Sequence, residues 1–441
     1  MLKISNISLH HCAWLTLMIL LQLLITLFLN GSLHSLFLHS ESTAAACKLG
    51  RIYVYDLPPI LNKDLLHNYH AGLGPPAAGL DAAVPLNLAA AWHWTDMYAA
   101  EVIYHDRINN YRCTTSDPAQ AAAFYIPFYA GLAVRNYLFS NSTAKDRDHH
   151  AAAMLNWVKN QPAWRNSNGS DHFLMLGRLT WAFRRLTDDD TEWGSSLLYM
   201  PLMKNVLRLT VERFRWDELE FSVPYPTAFH PRSESDIRQW QAWIRARKRP
   251  TLFTFVGATR EKIRNDFRSV LMEYCTKKET TSCRVVDCWK TPCSDGAPAI
   301  LEAFLGSDFC LQPKGDGLTR RSAFDCMLAG SIPVYFWRGS FEYQYEWHLP
   351  KNASEYSIFI DNDIVRNDTS IIKRTLEKYS KEEVKRMRET IIEFLPKLLY
   401  SKSNANLGGI EDAFDIAMDG VLKRFEQQRR LMDASKENKQ D

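Results

Sequence analysis

Short apolar runs alternate with stretches of helical periodicity along most of the chain, and this alternation constrains the fold more than any other feature. Arg51–Leu57, Ala122–Tyr129, His172–Leu176, Thr251–Gly257, Cys283–Cys288, Asp308–Leu311, Ile332–Phe336 and Tyr356–Ile360 read as buried strands. Between them Leu86–Asn110, Pro201–Phe214, Arg260–Thr276, Thr319–Leu328 and Lys381–Leu399 read as helices. Strands joined through helices need crossovers, so the fold class is α/β with mostly parallel sheets. Roughly 390 residues follow the N-terminal apolar segment and its stem, too many for one ordinary core and enough for two. The basic stretch Arg245–Pro250 sets the expected break. It gives domains over 51–247 and 248–400, then a C-terminal helix and polar tail over 401–441. Two doubly wound domains facing each other enclose a cleft, and ligands of such sheets lie at the carboxyl ends of strands.

Where the chain resides is written at its N-terminus. From Cys12 to Leu29 no residue is charged, which meets the length needed to span a bilayer. The reading is a signal-anchor helix over 12–29, a cytosolic tail over 1–11 and a stem over 30–50, with the rest lumenal. Cys47, Cys113, Cys275, Cys283, Cys288, Cys293, Cys310 and Cys326 make an even lumenal set, which points to disulfides of open connectivity. Zinc is disfavoured because Cys283, Cys288 and Cys293 lack a Cys-x-x-Cys pair and a nearby His. Sequons at Asn141, Asn168, Asn352 and Asn367 fit the same compartment. A net charge of +3 argues against a nucleic-acid partner.

The most specific local pattern is Lys314–Phe336. Gly315-Asp316-Gly317 leads through Thr319 into a helix opened by Arg320 and Arg321, with Asp325 one turn later and an apolar strand beyond Gly330. A helix N-terminus with forked cations suits a phosphate, and a carboxylate one turn on suits ribose hydroxyls. The competing reading, an ordinary capped helix with solvated arginines, weighs about evenly on this pattern alone. A second strand–turn–helix, Thr251–Val256 followed by Gly257-Ala258-Thr259-Arg260, carries Arg260, Lys262 and Arg264 at the expected helix start. Two such elements in one domain favour a shared diphosphate, although neither is a Walker loop or a dinucleotide fingerprint.

These residues also carry a resemblance. Tyr53-Val54-Tyr55-Asp56-Leu57-Pro58, Phe124 to Tyr129, Asp171-His172-Phe173, Phe255-Val256-Gly257 with Arg260, Phe309 to Asp316, Thr319 to Asp325 and Ser331-Ile332-Pro333-Val334 are similar to exostosin-type glycosyltransferases. Trp347-His348-Leu349-Pro350 resembles the plant branch that includes xyloglucan galactosyltransferases. The resemblance implies a single-pass type II Golgi membrane protein of GT-B architecture, two Rossmann-like domains facing a cleft. It implies inverting transfer from a UDP-sugar to a polysaccharide acceptor, with Arg260, Arg320 and Arg321 on the diphosphate and Asp325 on the ribose. Galactose from UDP-galactose onto xyloglucan is the first expectation. Galacturonosyl or arabinosyl transfer within the branch, or a non-catalytic glycan-binding scaffold, are the alternatives. Complexes with other Golgi glycosyltransferases fit the same expectation.

Inverting transfer needs a base for the acceptor hydroxyl and positive charge for the departing UDP. Candidate bases are Asp56, Asp171, His172, Glu101 and its helix neighbour His105, each with a structural reading as cap, core residue or ion pair. Asp188-Asp189-Asp190 and Asp361-Asn362-Asp363 resemble metal-binding acidic triplets, but the arginines already supply charge, so no essential metal or other cofactor is expected. Among Trp92, Trp94, Trp181, Trp193, Trp337, Tyr343, Tyr345 and Trp347, some are expected to line an acceptor groove and most to fill the core.

Overall fold

A computed structural model describes residues 47–67, 83–260, 262–291, 293 and 298–437, together with Met18 and Gln22. The expected anchor over 12–29, apart from those two residues, the cytosolic tail and the stem up to residue 46 lie outside the described residues. Among the described residues, no helix is long and apolar enough to cross a membrane.

The described residues form two parallel sheets. The first has the order β2-β1-β3-β4-β5-β6, from β1 (Arg51–Val54), β2 (Thr114–Thr115), β3 (Ala121–Tyr125), β4 (His172–Leu176), β5 (Leu207–Thr210) and β6 (Glu220–Ser222). The second has the order β11-β10-β9-β7-β8, from β7 (Thr251–Gly257), β8 (Cys283–Asp287), β9 (Ser307–Gln312), β10 (Ile332–Tyr335) and β11 (Ile358–Phe359). Every strand pair is parallel. Helices cover both faces, which explains why β4 and β10 are buried along their whole length.

In each sheet the first strand has its successor on one side and its third strand on the other. Loops leaving the carboxyl ends of β1 and β3, and of β7 and β9, therefore diverge and open a crevice. Disulfides brace this frame: Cys47–Cys113, Cys275–Cys283, Cys288–Cys293 and Cys310–Cys326. The last fastens the helix Arg321–Leu328 to β9.

Helices at both ends of the second half tie it to the first. Helix Glu234–Arg245 packs on the second half, where the Trp240 indole donates to the Leu328 carbonyl at 2.9 Å and Arg245 pairs with Glu389. The final helix, Ala413–Glu437, returns to the first sheet: Arg429 donates to the Ala122 carbonyl at 2.9 Å and Phe425 meets Phe173.

Three expected helices need correction. Pro201–Phe214 contains only a 3-10 turn, Pro201–Met203, before β5; its Val206–Val211 core alternates as a strand does. Leu86–Asn110 splits into a 3-10 segment, Leu86–Ala91, and a helix, Ala100–Asn109, around an isolated bridge from Trp92 to Phe229. Arg260–Thr276 begins as a loop, because Asp266 caps the helix Phe267–Glu273 by accepting from the Ser269 amide at 3.1 Å. The expected cations at that helix start therefore lie on the loop before it.

Candidate active site

The loops after β7 and β9 bring guanidinium groups together at the switch point of the second sheet. Arg320 caps the helix Arg321–Leu328 and donates through Nη2 to the Val256 carbonyl at 3.1 Å. Arg260 reaches it from the β7 side, and Arg268 from the following helix donates to the Lys314 carbonyl at 3.5 Å. Asp316 faces them, its Oδ1 3.2 Å from Arg260 Nη2, but it is 67% exposed. Arg320 Nη1 and Arg268 Nε are buried and make no hydrogen bond within the protein, and the buried Arg260 Nη2 has only its ion pair with Asp316. Burial, then Arg268 and Arg260, push Arg320 down to about 9. Burial and Arg260 likewise lower Arg268. Three guanidinium groups beside Asp316 and Asp266, with buried donors left over, suit a further anion.

Glycines let the backbone approach. A Cβ on Gly315 would lie 2.7 Å from the Thr319 carbonyl, and one on Gly317 would strike the Glu212 carboxylate. Lys314 lies over the Trp337 ring at 5.4 Å.

Arg321 turns to the other half. It is buried, donates to the Thr95 carbonyl and sits 3.3 Å from Asp325. Thr95 in turn meets His230 Nε2 at 2.8 Å. Burial raises the Asp325 carboxyl, and Arg321 opposes that shift. The two adjacent arginines thus face different surroundings: Arg320 lies among cations, and Arg321 bridges the halves.

The first half contributes two buried carboxyls, Glu101 and Glu212. Glu101, on the first turn of Ala100–Asn109, is 1% exposed. Its Oε1 accepts from the Gly131 amide at 2.6 Å and the Gly177 amide at 3.0 Å, just beyond β3 and β4. Its Oε2 has no partner, and burial pushes the carboxyl up to about 7. Nearby, Arg178 stacks over Tyr98 at 4.6 Å. Glu212, two residues past β5, accepts from the Thr319 amide at 2.6 Å and from Thr319 Oγ1 at 2.7 Å, so it clasps the Gly-rich loop from the opposite half. Burial raises its carboxyl too.

The remaining expected residues fall elsewhere. Asp56 is exposed beyond β1. His172 begins β4, at the amino end of that strand, fully buried between the Tyr55 hydroxyl at 2.8 Å and Asp171 at 2.6 Å and stacked on Phe124. His105 meets the Tyr129 hydroxyl at 2.9 Å, and burial pushes it down to about 4. Arg264 is exposed. The acidic triplets serve local structure: Asp190 accepts from the Ala144 amide, and Asp361 caps the helix Asn362–Asn367. Trp92 and Tyr345 fill the core, Trp347 stacks on Phe221 at 4.5 Å, and Trp181 and Trp193 are exposed. Asn141, Asn168, Asn352 and Asn367 are all exposed. Sequence reasoning missed Arg268, Arg178, Tyr98 and Glu212 and gave Asp316 no role. The alternation Val206–Val211 was the available signal for Glu212, because a carboxylate just past a strand end faces the cleft.

Buried cationic donors at a parallel switch point, on a loop clasped by Glu212 from the other half, form an anion-binding site of the kind group transferases use for a phosphate-bearing donor. Residues 46–375 match the Exostosin GT47 domain. The chain belongs to that family of glycosyltransferases. It is 52% identical to Xyloglucan galactosyltransferase XLT2 of Arabidopsis thaliana, over 87% of this chain and 76% of that one. It is 38% identical to Xyloglucan galactosyltransferase MUR3 of the same plant, over 86% and 63%. It is 37% identical to Xyloglucan-specific galacturonosyltransferase 1, also from Arabidopsis thaliana, over 88% and 59%. A solved alpha-glucosyltransferase in complex with UDP and DNA matches at TM-score 0.38 and 10% identity, over 85% of this chain and 99% of that one.

Proposed function

We propose that this chain is an inverting GT-B enzyme that moves galactose from UDP-galactose onto xyloglucan. The observation that carries the reading is the cluster of Arg260, Arg268 and Arg320 at the β7/β9 switch point, in which buried donors of Arg268 and Arg320 have no hydrogen-bond partner and Arg260 Nη2 has only Asp316. A UDP diphosphate supplies the missing acceptors, and the same cations stabilise the charge that grows on UDP as it leaves. Glu101 is assigned as the base, because its free Oε2 and its value near 7 suit proton removal from an acceptor hydroxyl at neutral pH. The acceptor oxygen bonds to the sugar's anomeric carbon as the bond to the diphosphate breaks on the other face, and the hydroxyl proton goes to Glu101.

Aromatic side chains beside the clasp suit a polysaccharide. Phe214 is 46% and Trp216 76% exposed just beyond Glu212, with Arg215 between Trp216 and Tyr343. Arg184 lies against Phe214 and Tyr199. Rings of this kind pack on the apolar faces of sugars. Four disulfides and exposed sequons support a lumenal, secretory-pathway setting, and we assign the protein to the Golgi membrane through residues 12–29.

A second reading, galacturonic acid as the transferred sugar, draws on Arg178, a cation on the acceptor side of the cleft that could meet a sugar carboxylate. The test is detergent-solubilised full chain incubated with UDP-galactose, UDP-galacturonic acid or UDP-arabinose and galactose-free xyloglucan. Galactose incorporation is expected. Incorporation of galacturonic acid alone selects the second reading. Absence of UDP binding by calorimetry overturns both and leaves a non-catalytic scaffold.

A further inference from the structure

Away from the cleft cations, three aromatic rings stand bare on the first half. Phe139 is 81% exposed on the turn after helix Ala130–Arg135. Its ring meets Trp193 edge-on at 5.1 Å, and Trp193 meets Trp181 at 5.8 Å. Trp193 and Trp181 are 38% and 43% exposed. A contiguous aromatic face on a surface turn calls for a cover.

The sequence across that turn is Phe139-Ser140-Asn141-Ser142-Thr143, an acceptor sequon with an aromatic ring two residues before the asparagine. The geometry is locked. Thr143 caps the helix Ala144–Val158 in a capping box with Asp146, which fixes the chain just after Asn141. The buried guanidinium of Arg147 then joins sequon and tryptophan loop: Nη1 donates to the Ser142 carbonyl at 2.6 Å, Nε to Gly194 at 3.0 Å and Nη2 to Glu192 at 2.9 Å. Arg185 adds a bond to the same Gly194 carbonyl at 3.1 Å. One buried cation therefore holds Asn141 and the residues flanking Trp193 in fixed relation.

We propose that Asn141 carries an N-linked glycan whose first sugar stacks on Phe139, with Trp193 and Trp181 extending the platform. In the covalent step, Asn141 Nδ2 bonds to the anomeric carbon of a lipid-diphosphate-linked oligosaccharide. The carbon–oxygen bond to the diphosphate breaks, the lipid diphosphate leaves, and the amide gives up one proton. The N-acetylglucosamine ring offers an apolar C–H face, and a pre-formed aromatic surface receives it without reordering. The glycan then covers the patch, and the turn gains a contact that the bare polypeptide lacks. The inference rests on lumenal placement, not on the choice of donor sugar or acceptor.

The test uses full chain made in a eukaryotic secretory host, as wild type, Phe139→Ala, Asn141→Gln and the double variant. Site occupancy is read by mass spectrometry and stability by melting temperature. Asn141→Gln is expected to remove one glycan and lower the melting temperature by a few degrees. Phe139→Ala is expected to lower it in the glycosylated protein and to add little in the Asn141→Gln background. Enzymatic removal of glycans from folded wild type and folded Phe139→Ala repeats the comparison without the Asn141 substitution, and the difference between the two proteins should shrink. An unmodified Asn141, or two losses that simply add, overturns the proposal. So does a rise in KM for polymer acceptor caused by Phe139→Ala whether or not the glycan is present, which would make the rings an acceptor surface.

Discussion

The two sheets run β2-β1-β3-β4-β5-β6 and β8-β7-β9-β10-β11, so each half opens a crevice at the same topological point. What lines the two crevices differs. In the second half, Arg260, Arg268 and Arg320 crowd together, with the exposed Asp316 and the helix-capping Asp266 as carboxylates beside them. In the first half, Glu101 is buried with two amides on one oxygen and nothing on the other, and His105 is held neutral by burial. Burial acts on both, but like-charged neighbours add to it on one side, whereas on the other it outweighs the backbone amides and Arg178, which oppose it. The strand order supplies the place and the side chains supply the chemistry, so one repeated topology holds a cationic cluster in one half and a buried carboxyl, proposed as the base, in the other.

The largest effect should come from discharging the cradle. Arg320→Gln removes the most enclosed cation, and UDP affinity measured by calorimetry should fall about 100-fold, roughly 2.7 kcal/mol. The unliganded protein should become more stable, because an unpaired buried charge has gone. Arg264→Ala, on the exposed part of the same loop, should leave UDP affinity unchanged. Equal losses from the two substitutions would show that general positive potential, not the switch-point cluster, holds the donor.

Glu101→Gln tests the other side. It keeps an acceptor for the Gly131 and Gly177 amides and removes the base. Turnover should fall by about 10²–10⁴-fold with UDP affinity retained. The wild-type rate should rise with pH through about 7, where Glu101 ionises. The same shift has a stability consequence of opposite direction. Glu101 ionises near 4.5 when unfolded and about 7 when folded, so the native state binds the proton more tightly. Its burial is harmless at low pH and destabilises as pH rises through that interval. Glu101→Gln should therefore be more stable than wild type at pH 8, by on the order of 1–3 kcal/mol, and no more stable at pH 4. A variant that is inactive and also less stable at pH 8 would make Glu101 a structural brace.

How much of this was legible in the sequence follows the same division. Strands with unbroken apolar runs, such as His172–Leu176 and Thr251–Gly257, stand where their pattern puts them, because a strand buried on both faces needs little else. The Gly315–Asp325 stretch and Arg260 also announce themselves, since glycine turns and clustered arginines are local features. Glu212 and Arg268 do not. Each matters through a partner far along the chain, and the helical reading of Pro201–Phe214 hid the strand that aims Glu212. The separation of Arg320 from Arg321 was equally out of reach: neighbours on a helix start point to different walls, and only the packing of Thr95 against the second half decides which goes where.

Glu212 gives the finest test, because it joins the two crevices. Its carboxylate holds the Thr319 amide and hydroxyl, and the adjoining residues Gly315 and Gly317 leave that loop free of side chains that could steady it otherwise. Glu212→Ala takes away both acceptors, so the loop carrying Arg320 loses its brace to the first half. Donor KM should rise roughly tenfold, equivalent to about 1.4 kcal/mol, with a smaller change in kcat. Glu212→Gln retains one oxygen for the Thr319 amide and should stay within about threefold of wild type. If the glutamine variant instead matches the Glu101→Gln loss in turnover, Glu212 supplies the proton acceptor itself, and the division of labour between the crevices moves from the β3/β4 ends to the β5 end.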